Sequence, residues 1–221
     1  MIEIKGDGNI VSREFSVSSF IRLHISGKGL IELHQSEEEK VIVETDENLL
    51  DCFDIVNSGR TLYVSAECKF RKAAYTKCTI RIYLRQVDVL YVRNEGATVV
   101  CPDEIVLLNP IEIKVQSQGD TELYVNAPAI KILSQTQGDV TLKGRCGKME
   151  IKNQSQGNFN SREMKAEHLI IKNMAEGNVD LFASKEITIS HFGQGTVRYW
   201  GEAVLKDVKQ YGDGRIAHQV G

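Results

Sequence analysis

The chain has 221 residues, 42% of them hydrophobic and 26% charged, with only 3 prolines, which is enough apolar material for a large core and too much for a disordered tail. Its 30 acidic and 27 basic residues give a net charge of -3 and alternate in sign without a basic block, so the concentrated positive field that phosphate binding needs is missing and nucleic acid is excluded as a partner. No apolar run approaches the roughly 18 residues of a bilayer span, and no transmembrane segment is expected.

Met1 to Asp7 carries none of the basic start, apolar stretch or small-residue cleavage site of a signal peptide, and read literally points to the cytoplasm. The text then alternates apolar and polar with the period of two that marks half-buried strands. Phe20 to Ile25, Leu30 to His34, Lys40 to Glu44, Thr61 to Ser65, Thr79 to Leu84 and Val87 to Val92 read as strands, and Gly27-Lys28-Gly29 reads as a corner. Asp46 to Asp51 reads as a turn or one short helical turn, and Glu67 to Lys77 as a long exposed loop. The cysteines (Cys52, Cys68, Cys78, Cys101, Cys146) are scattered and odd in number, so no disulfide framework is implied. Cys68 and Cys78 are the pair that would bridge in an exported protein; otherwise all five read as small buried hydrophobes. No C-x-x-C spacing and no neighbouring His pair supports a zinc site, and no metal or other cofactor is expected.

From residue 96 onward one phrase repeats. Gln116-Ser117-Gln118-Gly119-Asp120, Gln135-Thr136-Gln137-Gly138-Asp139 and Gln154-Ser155-Gln156-Gly157-Asn158 are followed by degenerate copies around Gly177-Asn178, Gly195-Thr196 and Gly214-Arg215. The glycines step by 19, 19, 20, 18 and 19 residues. Columns line up across the copies: Ile113, Ile132, Ile151, Ile171 and Ile189 before the turn, and Val140, Phe159, Val179, Val197 and Ile216 after it. Each repeat therefore reads as strand, G-[DN] turn, strand and a second bend such as Lys143 to Gly147, with no helical pattern between.

A helix-free unit of this length cannot bury its apolar face alone, so successive units must stack. The expected fold is all-β, a right-handed parallel β-helix with coils of about 19 residues at the strand spacing of about 4.8 Å. One solenoid domain spans 1–221: residues 1–95 form less regular N-terminal coils and a cap, and residues 96–221 form the regular repeats. The glycines Gly119, Gly138, Gly157, Gly177, Gly195 and Gly214 are expected to sit at corners that demand positive φ. Asp120, Asp139, Asn158 and Asn178 should bond back to nearby backbone. The column Gln116, Gln135, Gln154 and its neighbour Gln118, Gln137, Gln156 should form amide ladders, with a sugar-binding strip as the functional alternative. Asn153, Asn173 and His191 read as an internal polar ladder.

Arg13-x-Phe15 with Phe20, Ile25 and Gly27, then Val41-x-Val43 before Asp46 to Leu50, then Asn57-Ser58-Gly59-Arg60-Thr61-Leu62, resemble the opening of the putative autotransporter adhesin, head GIN domain family (DUF2807). The serial Q-[ST]-Q-G-[DN] turns resemble that family's repeated GSG turns, and Tyr199-Trp200-Gly201 is similar to its close; the likeness covers about residues 9 to 216. The resemblance implies a right-handed β-helical superhelix in exported proteins of Bacteroidetes. It further implies a place in the cell envelope or at the surface, a role in adhesion to a glycan or protein ligand, and a pectin-lyase-like shape without conserved catalytic residues.

A catalytic reading has to be met on residues. The best acidic pair, Asp120 and Asp139, falls at equivalent places of adjacent coils, but the column continues as Asn158, Asn178, Thr196 and Arg215, which reads as relief of charge repulsion in a stack. The five histidines stand apart, and no G-x-S-x-G, P-loop or H-E-x-x-H motif occurs. The chain is therefore expected to be a non-catalytic binding module, with a carbohydrate-active β-helix enzyme or a purely structural assembly protein as the alternatives. A homo-oligomer is expected through the weakly capped last coil or a flat sheet face, with Tyr199, Trp200 and Tyr211 as candidate contacts; the alternative is that these aromatics, Tyr199 first, seal the end of the core.

Overall fold

The computed structural model describes residues 2–68, 71–94 and 96–220. Strands that alternate side chains in and out leave one apolar face for a neighbouring coil to cover, and the coils stack accordingly. Thr121–Ser134, Val140–Asn153, Phe159–Asn173 and Val179–His191 lie parallel, each on the last, with register shifts confined to their middles. Each long strand bends there, at Gly144 with φ 118° in one coil. Its first half joins one ladder and its second half another.

The second-half ladder carries the isoleucine column in direct register, Ile113 on Ile132, Ile151, Ile171 and Ile189. Leu62, Leu23 and Leu90 prolong it toward the N-terminus. The first-half ladder stacks Val140, Phe159, Val179, Val197 and Ile216. All but Ile216 are buried, and each such side chain contributes about 1.5–3 kcal/mol by leaving water. One contiguous core runs from Phe20 to Tyr199.

The N-terminal coils do not stack in chain order. Arg22–Gly27 is sandwiched between Thr61–Ala66 and Val89–Asn94, and Leu30–Gln35 between Cys78–Leu84 and Thr98–Val100. The second coil passes beneath the first, and the third returns above it. Antiparallel strands then cover the N-terminal end. Phe53–Ser58 turns back through Gly59 onto Thr61–Ala66, while Lys40–Asp46 pairs with both Cys78–Leu84 and Ile10–Ser16. The short helical turn is a 3-10 segment, Glu47–Cys52.

Two expectations need correction. The stretch Glu67 to Lys77 is not loop throughout: Arg71–Ala74 pairs parallel with Ile2–Lys5, with residues 69 and 70 outside the described residues. Backbone hydrogen bonding to the incoming N-terminal strand supplies what the local sequence does not. Cys68 bridges Cys52, not Cys78, because the 3-10 turn brings the two Cα atoms to 4.3 Å. Cys78 lies half-buried under the Gly27–Gly29 corner, where its Sγ donates to the Lys28 carbonyl at 3.4 Å. Burial pushes the Cys78, Cys101 and Cys146 thiols up to about 12, aided at Cys78 by the Asp46 charge.

Asp46 joins three segments. Its carboxylate accepts the Gly8 N–H at 2.9 Å and the Thr76 N–H at 2.8 Å, and Gly6 packs against it so closely that no Cβ would fit. Desolvation pushes this carboxyl up, but the backbone donors of Thr76 and Gly8 outweigh it and hold the group below its ordinary value.

Candidate functional site

The repeated glycines owe their identity to close approach rather than to φ, which corrects the sequence expectation. Positive φ occurs at Gly27, Gly29, Gly59, Gly96, Gly144 and Gly201, among others, but not at the six repeat glycines. A Cβ on Gly157 would overlap the Gly138 carbonyl oxygen and stand 2.6 Å from its carbon, inside the 3.0 Å limit of real Cβ contacts. Gly119, Gly138, Gly177, Gly195 and Gly214 meet the preceding coil in the same way. At this corner backbone lies directly on backbone, and glycine alone leaves room.

The side chains around the corner tie coil to coil. Gln116 Nε2 donates to Gln135 Oε1 and Gln135 Nε2 to Gln154 Oε1, both at 2.8 Å, and the Tyr91 hydroxyl donates to Gln116 Oε1 at 2.6 Å. No such side-chain bond joins Gln118, Gln137 and Gln156 among the described residues; Gln137 and Gln156 bond the preceding coil through backbone, Gln156 N–H to the Thr136 carbonyl at 2.9 Å. Behind the glycines, Asp120, Asp139, Asn158 and Asn178 each accept the backbone N–H of the next coil through Oδ1, at 2.9, 2.7, 3.0 and 2.9 Å. Asp120 and Asp139 thus point along the stack into backbone donors, not toward each other across a cleft. Inside, Asn153 Nδ2 donates to Asn173 Oδ1 at 3.0 Å, Asn173 Nδ2 meets His191 Nδ1 at 3.1 Å, and His191 Nε2 donates to the Gly195 carbonyl at 2.8 Å.

Outward from the Asx column runs a second column, three residues past each glycine: Glu122, Thr141, Asn160, Asp180 and Arg198. Arg198 forks onto Asp180, Nε to Oδ1 at 2.6 Å and Nη2 to Oδ2 at 2.8 Å. Hydrogen bonding to Asp180 raises the Arg198 pKa further above its ordinary value. A cleft of about 320 Å³ lies here, lined by Asp139, Asn158, Asn160, Asn178, Asp180 and Arg198. Five residues past the glycines, Phe182 and Trp200 sit side by side on successive coils. Lys165 Nζ stands 4.0 Å over the Phe182 ring, and the Arg162 guanidinium 4.4 Å over Trp200. A larger polar cleft of about 590 Å³ lies over the glutamine corner between Arg93, Gln116 and Gln135.

The three aromatic residues singled out from the sequence do not form one patch. Tyr199 is 8% exposed and stacks on His218 at 4.7 Å, closing the core. Trp200 lies beneath Arg162, and Tyr211 stacks on Phe192 at 4.9 Å on the glutamine side. Asn160, Asp180, Arg198 and Phe182 were not read as site residues, yet their constant offsets from the glycines were available in the sequence. Among the described residues no group of three His, Cys, Asp or Glu side chains is arranged to hold a metal ion, and no helix is long and apolar enough to cross a membrane.

Several solved structures share this fold. A putative adhesin from Bacteroides fragilis is 18% identical, with a TM-score of 0.83 over 98% of this chain and 100% of the other. A putative adhesin from Parabacteroides distasonis is 18% identical with a TM-score of 0.76 (98% and 100% covered). A putative lipid binding protein from the same organism is 16% identical with a TM-score of 0.73 (98% and 99% covered). No functionally curated protein matches. The family profile described as "Putative auto-transporter adhesin, head GIN domain" (DUF2807) matches residues 19–203, and the chain belongs to that family.

Proposed function

We propose that the protein is a non-catalytic adhesion module of the cell envelope or surface that recognises a glycan on the outer face beside the glycine corner. The observation that carries this reading is the cleft between Asp139, Asn160, Asp180 and Arg198, with Phe182 and Trp200 two residues further along the strands of Asp180 and Arg198. Planar amide, carboxylate and guanidinium groups pair with vicinal hydroxyls, and an aromatic ring packs on the apolar face of a pyranose. The corner ladder holds these groups on rigid, stacked backbone, so little order is lost on binding. Export is supported by the Cys52–Cys68 bridge, since disulfides persist in oxidising compartments. The other thiols, Cys101 and Cys146 buried and Cys78 half-buried, are held protonated, so they survive there. Asp180 is engaged by both Nε and Nη2 of Arg198, and Asp139 Oδ1 accepts the Asn158 N–H.

The test is a glycan array probed with the labelled whole chain, followed by chromatography of each bound glycan after incubation. Saturable binding without shortened products supports the reading. Product release would make the protein an enzyme; retention on a protein ligand alone would replace the glycan with a protein. A second reading, structural assembly, is favoured by the uncovered C-terminal end.

A further inference from the structure

The two ends of the solenoid differ. Antiparallel strands cover the N-terminal end, whereas the last long strand, Val204–Gln210, pairs along one edge with Glu186–His191 and along the other with no described strand. All seven of its residues are exposed. Leu205 and Val208 continue the interior columns of Ile187 and Ile189, yet are 43% and 40% exposed, so the core ends in water with an unpaired row of backbone groups beside it.

This strand carries a bulge at Lys206, where the register against Ile187 and Thr188 shifts by one residue. The bulge sets which side chains face outward. Lys206 Nζ reaches Glu186 at 2.9 Å and Asp207 reaches Lys209 at 3.5 Å, so Lys206, Asp207 and Lys209 share the outer face with Val204, the partner of Glu186. Leu205, Val208 and Gln210 follow Ile187, Ile189 and His191 inward. From Val204 to Lys209 the order is out, in, out, out, in, out, which reads the same in both directions.

We propose that Val204–Gln210 pairs antiparallel with the same strand of a second copy, about a two-fold axis passing between Lys206 and Asp207. That register sets Leu205 against the partner's Val208, Val204 against the partner's Lys209, and Lys206 against the partner's Asp207, each twice. It is the one unbulged antiparallel register of this strand that sets both Leu205 and Val208 opposite an inward residue, because any shift sets one of them opposite an outward side chain or beyond the strand. It also sets opposite charges face to face at the centre. The contact joins the two exposed core ends, satisfies the free edge, and closes on itself, so the assembly stops at two. It uses neither the cleft nor Tyr199, Trp200 and Tyr211, and it stands independently of the glycan reading.

Light scattering of the whole chain through a sizing column, from micromolar up to about 100 µM, reads the dimer. Wild type is expected to be a dimer that dissociates on dilution. Lys206→Glu alone and Asp207→Lys alone each set two like-charged pairs at the axis and are expected to weaken the dimer about tenfold or more. An equimolar mixture of these two variants sets opposite charges at both positions and is expected to dimerise, as is the double variant carrying both changes. Both substitutions fall on exposed side chains, and circular dichroism of each single variant checks its fold. Should a single variant unfold, the double variant decides alone: a dimer supports the proposal and a monomer overturns it. A monomeric wild type at the highest concentration, open-ended filaments, single variants as dimeric as wild type, or folded single variants that stay apart on mixing would each overturn it.

Discussion

Gly157→Ala is the sharpest probe of the corner. The added Cβ would stand 2.6 Å from the Gly138 carbonyl carbon and 2.8 Å from the Gln137 carbonyl oxygen, and would overlap the Gly138 oxygen itself. Neither neighbour can swing away, because both are backbone in a ladder. The coils must part locally, which costs about 1–3 kcal/mol as overpacking. It also loosens two hydrogen bonds that span the corner, Gln156 N–H to Thr136 and Asn158 N–H to Asp139 Oδ1, at about 1 kcal/mol each. A loss of about 3–5 kcal/mol is expected, read from guanidinium unfolding by circular dichroism with the slope checked, since repeat arrays can lose cooperativity. Asparagine separates the two explanations for glycine, because it tolerates the left-handed region but carries the same Cβ. Gly59→Asn, at φ 56° in open space, should change stability by under about 0.5 kcal/mol. Gly157→Asn should be as damaging as Gly157→Ala. If Gly157→Asn were tolerated as well as Gly59→Asn, the close-approach argument would fail.

Ile151→Ala, between Ile132 and Ile171, should cost about 2–5 kcal/mol, while Lys152→Ala beside it costs under about 0.5; equal effects would refute the inward column. Replacing Asp120 and Asp139 together by Asn keeps the Oδ1 acceptors and removes a like-charge pair, so stability should hold or rise slightly, whereas Asp139→Ala should cost about 1 kcal/mol. Because the Asp46 carboxyl is held below its ordinary value, its contribution is complete above about pH 4 and is lost as pH falls through the lower folded value. Asp46→Asn should therefore flatten the fall of the unfolding midpoint between neutral pH and acid, and an unchanged slope would remove Asp46 from the acid response. In denaturant without reductant, Cys78, Cys101 and Cys146 should titrate as the free thiols, and none of them should react quickly in the folded protein at neutral pH.

The regular coils were legible because each repeats a local rule. A glycine every 19 residues or so fixes the corner, and the isoleucine offset then fixes the inward face at every level. What escaped the sequence is nonlocal. Nothing within Arg22–Gly27 says that Thr61–Ala66 lies on one side of it and Val89–Asn94 on the other, since both neighbours offer the same alternation. The antiparallel cap carries no repeat, and Phe53–Ser58 becomes a strand because Thr61–Ala66 presents it with a free edge. The Cys52–Cys68 bridge depends on where the 3-10 turn lands, and a single sequence does not encode that distance. The corner glycines were found for the wrong reason: a tight turn and a tight contact leave the same residue in the sequence. The outward column of Asn160, Asp180 and Arg198 was written at a constant offset from those glycines, but only the stacking shows that it lines a cleft.

The outer face is proposed to bind a glycan and leave it intact. Titration of a glycan selected on the array into wild type, Asn160→Ala and Trp200→Ala, with unfolding midpoints measured on the same samples, tests it most directly. Each variant is expected to bind at least about tenfold more weakly, since each removes a contact worth about 1.4 kcal/mol or more, with the folded state kept. Equal affinity in all three proteins, or shortened glycan recovered from the wild-type sample, would contradict it.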